Sequence, residues 1–287
     1  MTDTPSTAAD DGPAAAARRA PKAGRNLPAA IAVGLGLLVL VAASLAFRPE
    51  PFVLLATVAV GAALWELSKA FERRDLHIPV LPLLVGTVGI LVSSYYSGPE
   101  ALLVSFMLTV AGVVVWRVID GSGTPAVRDA AAGTFAAAYL PFMAGFVMLM
   151  LAAPDGRVRV LLFILLAVAN DVGGYVAGVL FGRHPLAPSV SPKKSWEGLA
   201  GSFLLATAVG VVGAVVGLGA SPLLGVALGI LAPLTATIGD LAESMIKRDL
   251  ELKDMGSLLP GHGGILDRLD SMLLTAPFVY VLLALAV

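Results

Sequence analysis

The chain is 287 residues long, 57% hydrophobic before its 31 glycines are counted, and only 14% charged. A soluble domain averages roughly 45–50% apolar with glycine included and about 25% charged, so an ordinary water-soluble globule is excluded, as are a disordered chain, a collagen and a coiled coil. With no cysteine in the sequence there is no disulfide, thiolate metal site or cysteine nucleophile, and the net charge of −1 matters less than where the few charges sit.

Residues 1–26 are rich in Ala, Pro, Asp and Thr without apolar periodicity and read as a disordered cytoplasmic tail rather than a signal peptide, because the next apolar run is long and lacks a convincing cleavage site. Crossing a hydrocarbon core of roughly 30 Å takes about 20 mainly apolar residues in a helix. Nine such stretches occur, at about 28–47, 52–68, 79–96, 101–118, 130–152, 160–182, 198–217, 222–246 and 270–287. The expected fold is therefore all-α, a polytopic integral membrane protein with a cytoplasmic N-terminus. Membrane helices one to five would occupy 27–157, and helices six to nine with two cytoplasmic loops 158–287.

Basic residues collect on the cytoplasmic side of membrane proteins. With the N-terminus inside, 16 of the 19 Lys and Arg fall in inner segments, and only Arg48, Arg157 and Arg159 fall in outer ones. A missed or invented span would mix the two sets.

An acidic side chain inside a span costs roughly 2.5–3.5 kcal/mol on insertion scales and needs a reason. In span six Asp171 stands beside Gly174, Gly178 and Gly182, a small-residue face suited either to tight packing within the chain or to a dimer. On span eight Thr237, Asp240, Glu243, Ser244 and Lys247 recur every three or four residues and share one helix face. Glu243 and Lys247 could equally form an ion pair at the membrane edge.

The inner loop after this stripe carries Arg248, Lys253 and Asp254, breaks at Pro260-Gly261, and continues through His262, Gly263 and Gly264 to Asp267, Arg268 and Asp270. Free backbone N–H groups at a Gly-rich helix start suit a phosphate, and carboxylates beside cations suit Mg²⁺-assisted nucleotide chemistry. There is no P-loop. The three histidines are too far apart for a zinc site; His77 and His184 read as incidental and His262 as a phosphate donor. The other polar inner loop holds Ser191, Lys193, Lys194 and Ser195 just before a helix, a set suited to a phosphate or to anionic lipid headgroups.

The run Ser244-x-x-Lys247-Arg248-x-x-x-x-Lys253-Asp254, then His262-Gly263-Gly264-x-x-Asp267-Arg268-x-Asp270, resembles the signature of the phosphatidate cytidylyltransferases, or CDP-diglyceride synthases, over 27 consecutive positions. Asp171-x-x-x-Tyr175, Gly182-Arg183 and Ser191-Pro192-Lys193-Lys194-Ser195-x-Glu197-Gly198 are similar to a second block of that family. The resemblance implies a reaction of CTP with phosphatidic acid from the cytoplasmic leaflet, giving CDP-diacylglycerol and pyrophosphate at the inner face of the plasma membrane. It implies Mg²⁺ on Asp240 and Asp267, with Asp171 and Asp270 either behind these ligands or as alternatives to them, and leaves open a second, monovalent cation. Lys247, Arg248, Lys253 and Arg268 would neutralise the triphosphate with help from the Gly263 and Gly264 backbone. Ser244 belongs to the same substrate-binding set. Ser191, Lys193, Lys194 and Ser195 would bind a phosphate of nucleotide or lipid, and His262 would donate to a phosphate oxygen or assist the leaving group.

The expected cavity lies between spans six, seven and eight and opens to both cytosol and inner leaflet. No nucleic acid is implied, and a homodimer stays open. The competing readings are a CTP-dependent kinase or transferase for another membrane lipid, and a cation-coupled transporter. The one-sided crowding of polar groups and the lack of an inverted repeat speak against the transporter.

Overall fold

The computed structural model describes residues 27–259 and 263–286. Its helices are α1 (Leu27–Ala46), α2 (Glu50–Phe71), α3 (Val80–Asp120), α4 (Thr124–Ala137), α5 (Met143–Ala152), α6 (Gly156–Phe181), α7 (Trp196–Val212), α8 (Pro222–Asp249) and α9 (Leu266–Ala286). A π-helical turn over Ala138–Phe142 joins α4 to α5, and another over Gly213–Gly217 ends α7. The only sheet among the described residues is a hairpin of β1 (Pro185–Ala187) and β2 (Ser191–Ser195). Long apolar segments have no water to satisfy their backbone, so each must close its hydrogen bonds internally as a helix.

Among the described residues seven helical segments are long and apolar enough to cross a membrane. One of them, α3, is a helical hairpin: Gly98 adopts φ 83°, a left-handed conformation that favours glycine, and Pro99 comes next with no N–H to continue the ladder. Ser93 Oγ then meets Ser105 Oγ at 2.8 Å, although a straight helix would hold these residues about 18 Å apart. The expected stretches 79–96 and 101–118 are the two arms of this hairpin.

Side chains such as Met107, Leu204 and Leu285 are exposed on the outer surface, a cost that hydrocarbon surroundings remove. Leu64, Leu67, Ile90, Met148, Phe163, Leu166 and Leu228 fill the interior. The few charges away from the site staple chain ends together. Arg117 pairs with Asp129, which also accepts the His77 N–H, while Arg159 pairs with Asp155 and donates to the Leu283 carbonyl. Arg74 reaches Glu251 and the Asp249 carbonyl, so the loops after α2 and α8 lie at one end of the bundle.

Glycines set the packing of the C-terminal helices. A Cβ on Gly173 of α6 would lie 2.5 Å from the Gly201 carbonyl of α7, and one on Gly210 of α7 would lie 2.4 Å from the Gly225 carbonyl of α8. On the small-residue face of span six, a Cβ on Gly174 would lie 2.8 Å from Ser202 Oγ of α7 and one on Gly178 would lie 3.8 Å from Gly198 Cα, so these two glycines pack within the chain. A Cβ on Gly239 would sit 2.7 Å from the Asp270 carbonyl, and Thr235 donates to Thr275 at 3.0 Å, which clamps α8 to α9 in a fixed register.

Two local expectations shift. The loop over 183–198 contains the β1–β2 hairpin, paired at Pro185↔Ser195 and Ala187↔Ser191, where no apolar alternation announces strands. The last helix begins at Leu266 rather than near 270, because carboxylates take up the first amide groups of a turn that composition alone assigns to the loop.

Candidate active site

Two adjoining cavities lie between α6, α7, α8, α9 and the hairpin. The first, about 330 Å³, is lined by Asp171, Tyr175, Ser191, Lys193, Lys194, Ser195, Thr237 and Asp240 among others. The second, about 300 Å³, is lined by Asp171, Lys194, Asp240, Glu243, Ser244, Lys247, Asp267, Arg268, Asp270 and Ser271. Asp171, Lys194 and Asp240 line both and form the wall between them. The expected convergence of Asp171, Asp240 and Asp267 is thus present. Tyr175 is 72% exposed, so the first cavity reaches the protein surface.

Contacts of Ser195, Glu197 and Arg248 hold the hairpin that presents the lysines. Ser195 caps α7 by accepting the Gly198 N–H at 3.1 Å. Glu197, in the first turn of α7, accepts the N–H groups of Arg183 and His184 and meets His184 Nδ1 at 2.6 Å. Arg248, at the end of α8, donates to the Val190 carbonyl at 2.5 Å and braces the turn of the hairpin. Lys194 is thereby aimed inward and donates to Asp240 at 2.5 Å.

The helical stripe on α8 supplies the other wall. Glu243 is 1% exposed and pairs with Lys247 one turn on, while Lys247 also donates to Asp267 at 3.0 Å, so the two readings of this pair are both met: an ion pair, inside the cavity. One Glu243 oxygen, Oε1, is buried with no hydrogen-bond partner. The Tyr139 hydroxyl, from the π-helical turn after α4, is also buried without a partner and lies within electrostatic range of Asp270, Glu243 and Asp240. Asn170 Nδ2 donates to Asp171 at 3.1 Å and fixes that carboxylate.

Asp267 has a different situation from its fellow acids. Its oxygens accept Lys247 Nζ, the Met255 N–H at 3.0 Å and the Gly264 N–H at 2.8 Å. A metal ion on Asp267 would compete with these donors, whereas Asp171, Asp240 and Asp270 have fewer. Gly264's N–H is correspondingly turned onto Asp267 and away from a phosphate. Gly263, with φ 85°, accepts the Leu259 N–H through its carbonyl. Lys253 is exposed on the loop and, like Arg248, Gly263 and Gly264, lines neither cavity. His262 lies outside the described residues.

No three carboxylates or histidines among the described residues already converge as a closed metal cage. Mg²⁺ does not require one, since it usually keeps several waters and binds one or two carboxylates together with substrate phosphates. The carboxylates of Asp171, Asp240 and Asp270 in the second cavity, beside a Glu243 oxygen without a hydrogen-bond partner, fit such a hard dication.

Sequence reasoning singles out the acids of spans six and eight and passes over Glu66 of α2, although the same insertion cost applies to it. Glu66 is 2% exposed, and its Oε2 accepts the Leu266 N–H, the first of α9, at 3.0 Å.

Residues 28–286 match the Cytidylyltransferase family. The chain belongs to the cytidylyltransferase family. It is similar to the phosphatidate cytidylyltransferase of Mycobacterium leprae, at 41% identity over 93% of this chain and 91% of that one. The proteins of the same name from Mycobacterium bovis and Mycobacterium tuberculosis H37Rv are each 38% identical over 92% of this chain, and the match spans 90% and 84% of their lengths. A cytidylyltransferase must hold a triphosphate and admit an attacking oxygen in line with its leaving group. The paired cavities bring the cations Lys193, Lys194, Lys247 and Arg268 close to carboxylates.

Proposed function

We propose that this protein transfers the cytidylyl group of CTP to phosphatidic acid, yielding CDP-diacylglycerol and pyrophosphate. The observation that carries this reading is the shared wall of Asp171, Lys194 and Asp240: it joins a cavity with phosphate-binding character on the hairpin side to an acidic and basic cavity between α8 and α9.

A phosphate oxygen of the lipid attacks the α-phosphorus of CTP as the bond to the β-phosphate's bridging oxygen breaks, and pyrophosphate leaves. Such a step needs positioning and charge neutralisation rather than a protein nucleophile. Lys193, Lys194 and Ser191 receive phosphate oxygens from the hairpin side, while Lys247 and Arg268 do so from the α8–α9 side. Ser195 and Arg248 hold the hairpin in place, and Ser244 lines the floor. Lys253 adds positive charge at the rim, and His262 acts as a donor to a phosphate oxygen. One or two of Asp171, Asp240 and Asp270 would hold Mg²⁺ together with substrate phosphates, with Asp267 anchoring Lys247 and the loop. When bound, the ion neutralises phosphate charge and makes the α-phosphorus more electrophilic.

We place the site on the cytoplasmic face of the plasma membrane, with nine crossings and the N-terminus inside. The partition of basic residues and the clustering of Arg74, Asp249 and Glu251 at one end support this orientation. CTP then arrives from the cytosol and phosphatidic acid from the adjoining leaflet.

The test is turnover of CTP by detergent-purified protein with phosphatidic acid and Mg²⁺, measuring released pyrophosphate and lipid product together. Stoichiometric CDP-diacylglycerol, lost on chelation and restored by Mg²⁺, is the expected result. Absence of CTP consumption in folded protein overturns the reading.

A further inference from the structure

Glu66 lies outside both cavities and has no part in the transfer as described, yet it is among the most deeply buried charged groups in the chain, at 2% exposure. Its carboxylate occupies a slot made by two glycines of the loop between α8 and α9. A Cβ on Gly256 would fall 2.0 Å from Oε1, and one on Gly264 would fall 2.6 Å from Oε2. Oε2 accepts the Leu266 N–H at 3.0 Å, across 200 positions of sequence. Glu66 therefore acts as a cap supplied from another helix: it satisfies the first orphan donor of α9 and places negative charge at the positive end of that helix.

The residues just beyond Leu266 belong to the site. Asp267, Arg268 and Asp270 occupy the start of α9 and line the acidic cavity, opposite Asp240, Glu243 and Lys247 of α8. The Gly239 contact with the Asp270 carbonyl and the Thr235–Thr275 bond fix the register of α9 against α8 from Asp270 onward rather than in the turn before it, which holds Asp267 and Arg268. At its first turn α9 meets α8 through long side chains such as Lys247 on Asp267, which tether a side chain and not the backbone. From this juxtaposition we infer that Glu66 is a positioning residue for the reaction: by its reach from α2 it sets the first turn of α9, and so aligns Arg268 with the α8 wall. The N-terminal half of the chain thereby takes part in assembling a site whose lining residues come from α6 onward. This inference rests on the proposed cytidylyl transfer for its activity readout.

The decisive comparison separates reach from charge. Glu66→Gln keeps the length and one acceptor oxygen, whereas Glu66→Asp keeps the charge and loses the reach. Per folded molecule, Glu66→Gln is expected to stay within about threefold of the parent kcat. Glu66→Asp and Glu66→Ala are expected to fall by at least about tenfold in kcat. Gly256→Ala leaves Glu66 intact but drives a methyl into its carboxylate, and should reproduce the kcat loss where Glu66→Ala does not fold. Full kcat in Glu66→Asp or Gly256→Ala overturns the inference, as does an equal loss in Glu66→Gln.

Amide hydrogen exchange over residues 264–269 is read in parallel. Exchange in that turn should rise by at least about tenfold in Glu66→Asp and Gly256→Ala and stay near parent in Glu66→Gln. Unchanged exchange overturns the inference even if the parent protein makes no CDP-diacylglycerol, an outcome that would instead defeat the proposed reaction.

Discussion

Replacing Asp267 by Asn tests how the loop between α8 and α9 supports the chemistry. The side chain is 5% exposed and takes three donors: Lys247 Nζ at 3.0 Å, Met255 N–H at 3.0 Å and Gly264 N–H at 2.8 Å. Asn converts one oxygen to an NH₂ that faces donors in either orientation. Placed at Oδ2 it opposes Met255 and Gly264, and placed at Oδ1 it opposes Lys247 and Met255. Each orientation removes at least one charge-assisted bond and leaves a buried donor unsatisfied, for a combined cost of at least about 3 kcal/mol. If the whole cost is expressed in the transition state, kcat/KM falls by about a hundredfold. The assay is pyrophosphate release at subsaturating CTP, normalised to folded protein by a thermal melt. Adding Lys247→Met removes one of the opposing donors, so the double variant should lose less than the sum of the two singles. A kcat/KM for Asp267→Asn within about threefold of the parent would refute the idea that this carboxylate's hydrogen bonds hold the site together.

Lys194→Met should raise the KM for CTP by about tenfold or more, since a charge-assisted phosphate contact is lost at the wall common to both cavities; a CTP titration at saturating lipid checks this, and an unchanged KM would remove Lys194 from nucleotide binding. Gly201→Leu should destabilise the protein by at least about 1–3 kcal/mol, because any Cβ there already meets the Gly173 carbonyl at 2.5 Å and Ala177 Cβ at 2.3 Å; detergent-solubilised melting curves report it. Tyr139→Phe removes a buried hydroxyl that has no partner, so stability should hold within about 1 kcal/mol of the parent, and a larger loss would reveal a bond to that oxygen. The absence of cysteine allows single-cysteine mapping of orientation. Exposed Ser221→Cys should react with a membrane-impermeant maleimide added outside intact cells and exposed Ser189→Cys should not, and the reverse pattern would invert the topology.

Much of the architecture is legible without coordinates, because a bilayer constrains composition more strictly than water does. Apolar length marks the helices, and the separate stretches 79–96 and 101–118 anticipate the two arms of the hairpin in α3. The acids inside spans six and eight stand out for their insertion cost, and Asp171 and Asp240 do meet at one wall. The spacing of Thr237, Asp240, Glu243, Ser244 and Lys247 predicts a common face, and four of the five line the second cavity.

Local period and transfer cost thus dictate which residues carry charge into an apolar environment and which helix face each occupies. How the hydrogen-bonding capacity of those residues is used emerges only once the helices pack. Asp240 and Asp267 look alike along the chain, yet one faces Lys194 across a cavity wall while the other is taken up by Lys247 and two loop amides. The expected phosphate-binding N–H of Gly264 is turned onto Asp267, and the start of α9 is capped by Glu66 from 200 positions away. A carboxylate's role depends on which donors reach its oxygens in three dimensions, and sequence spacing does not encode donors brought in from distant helices.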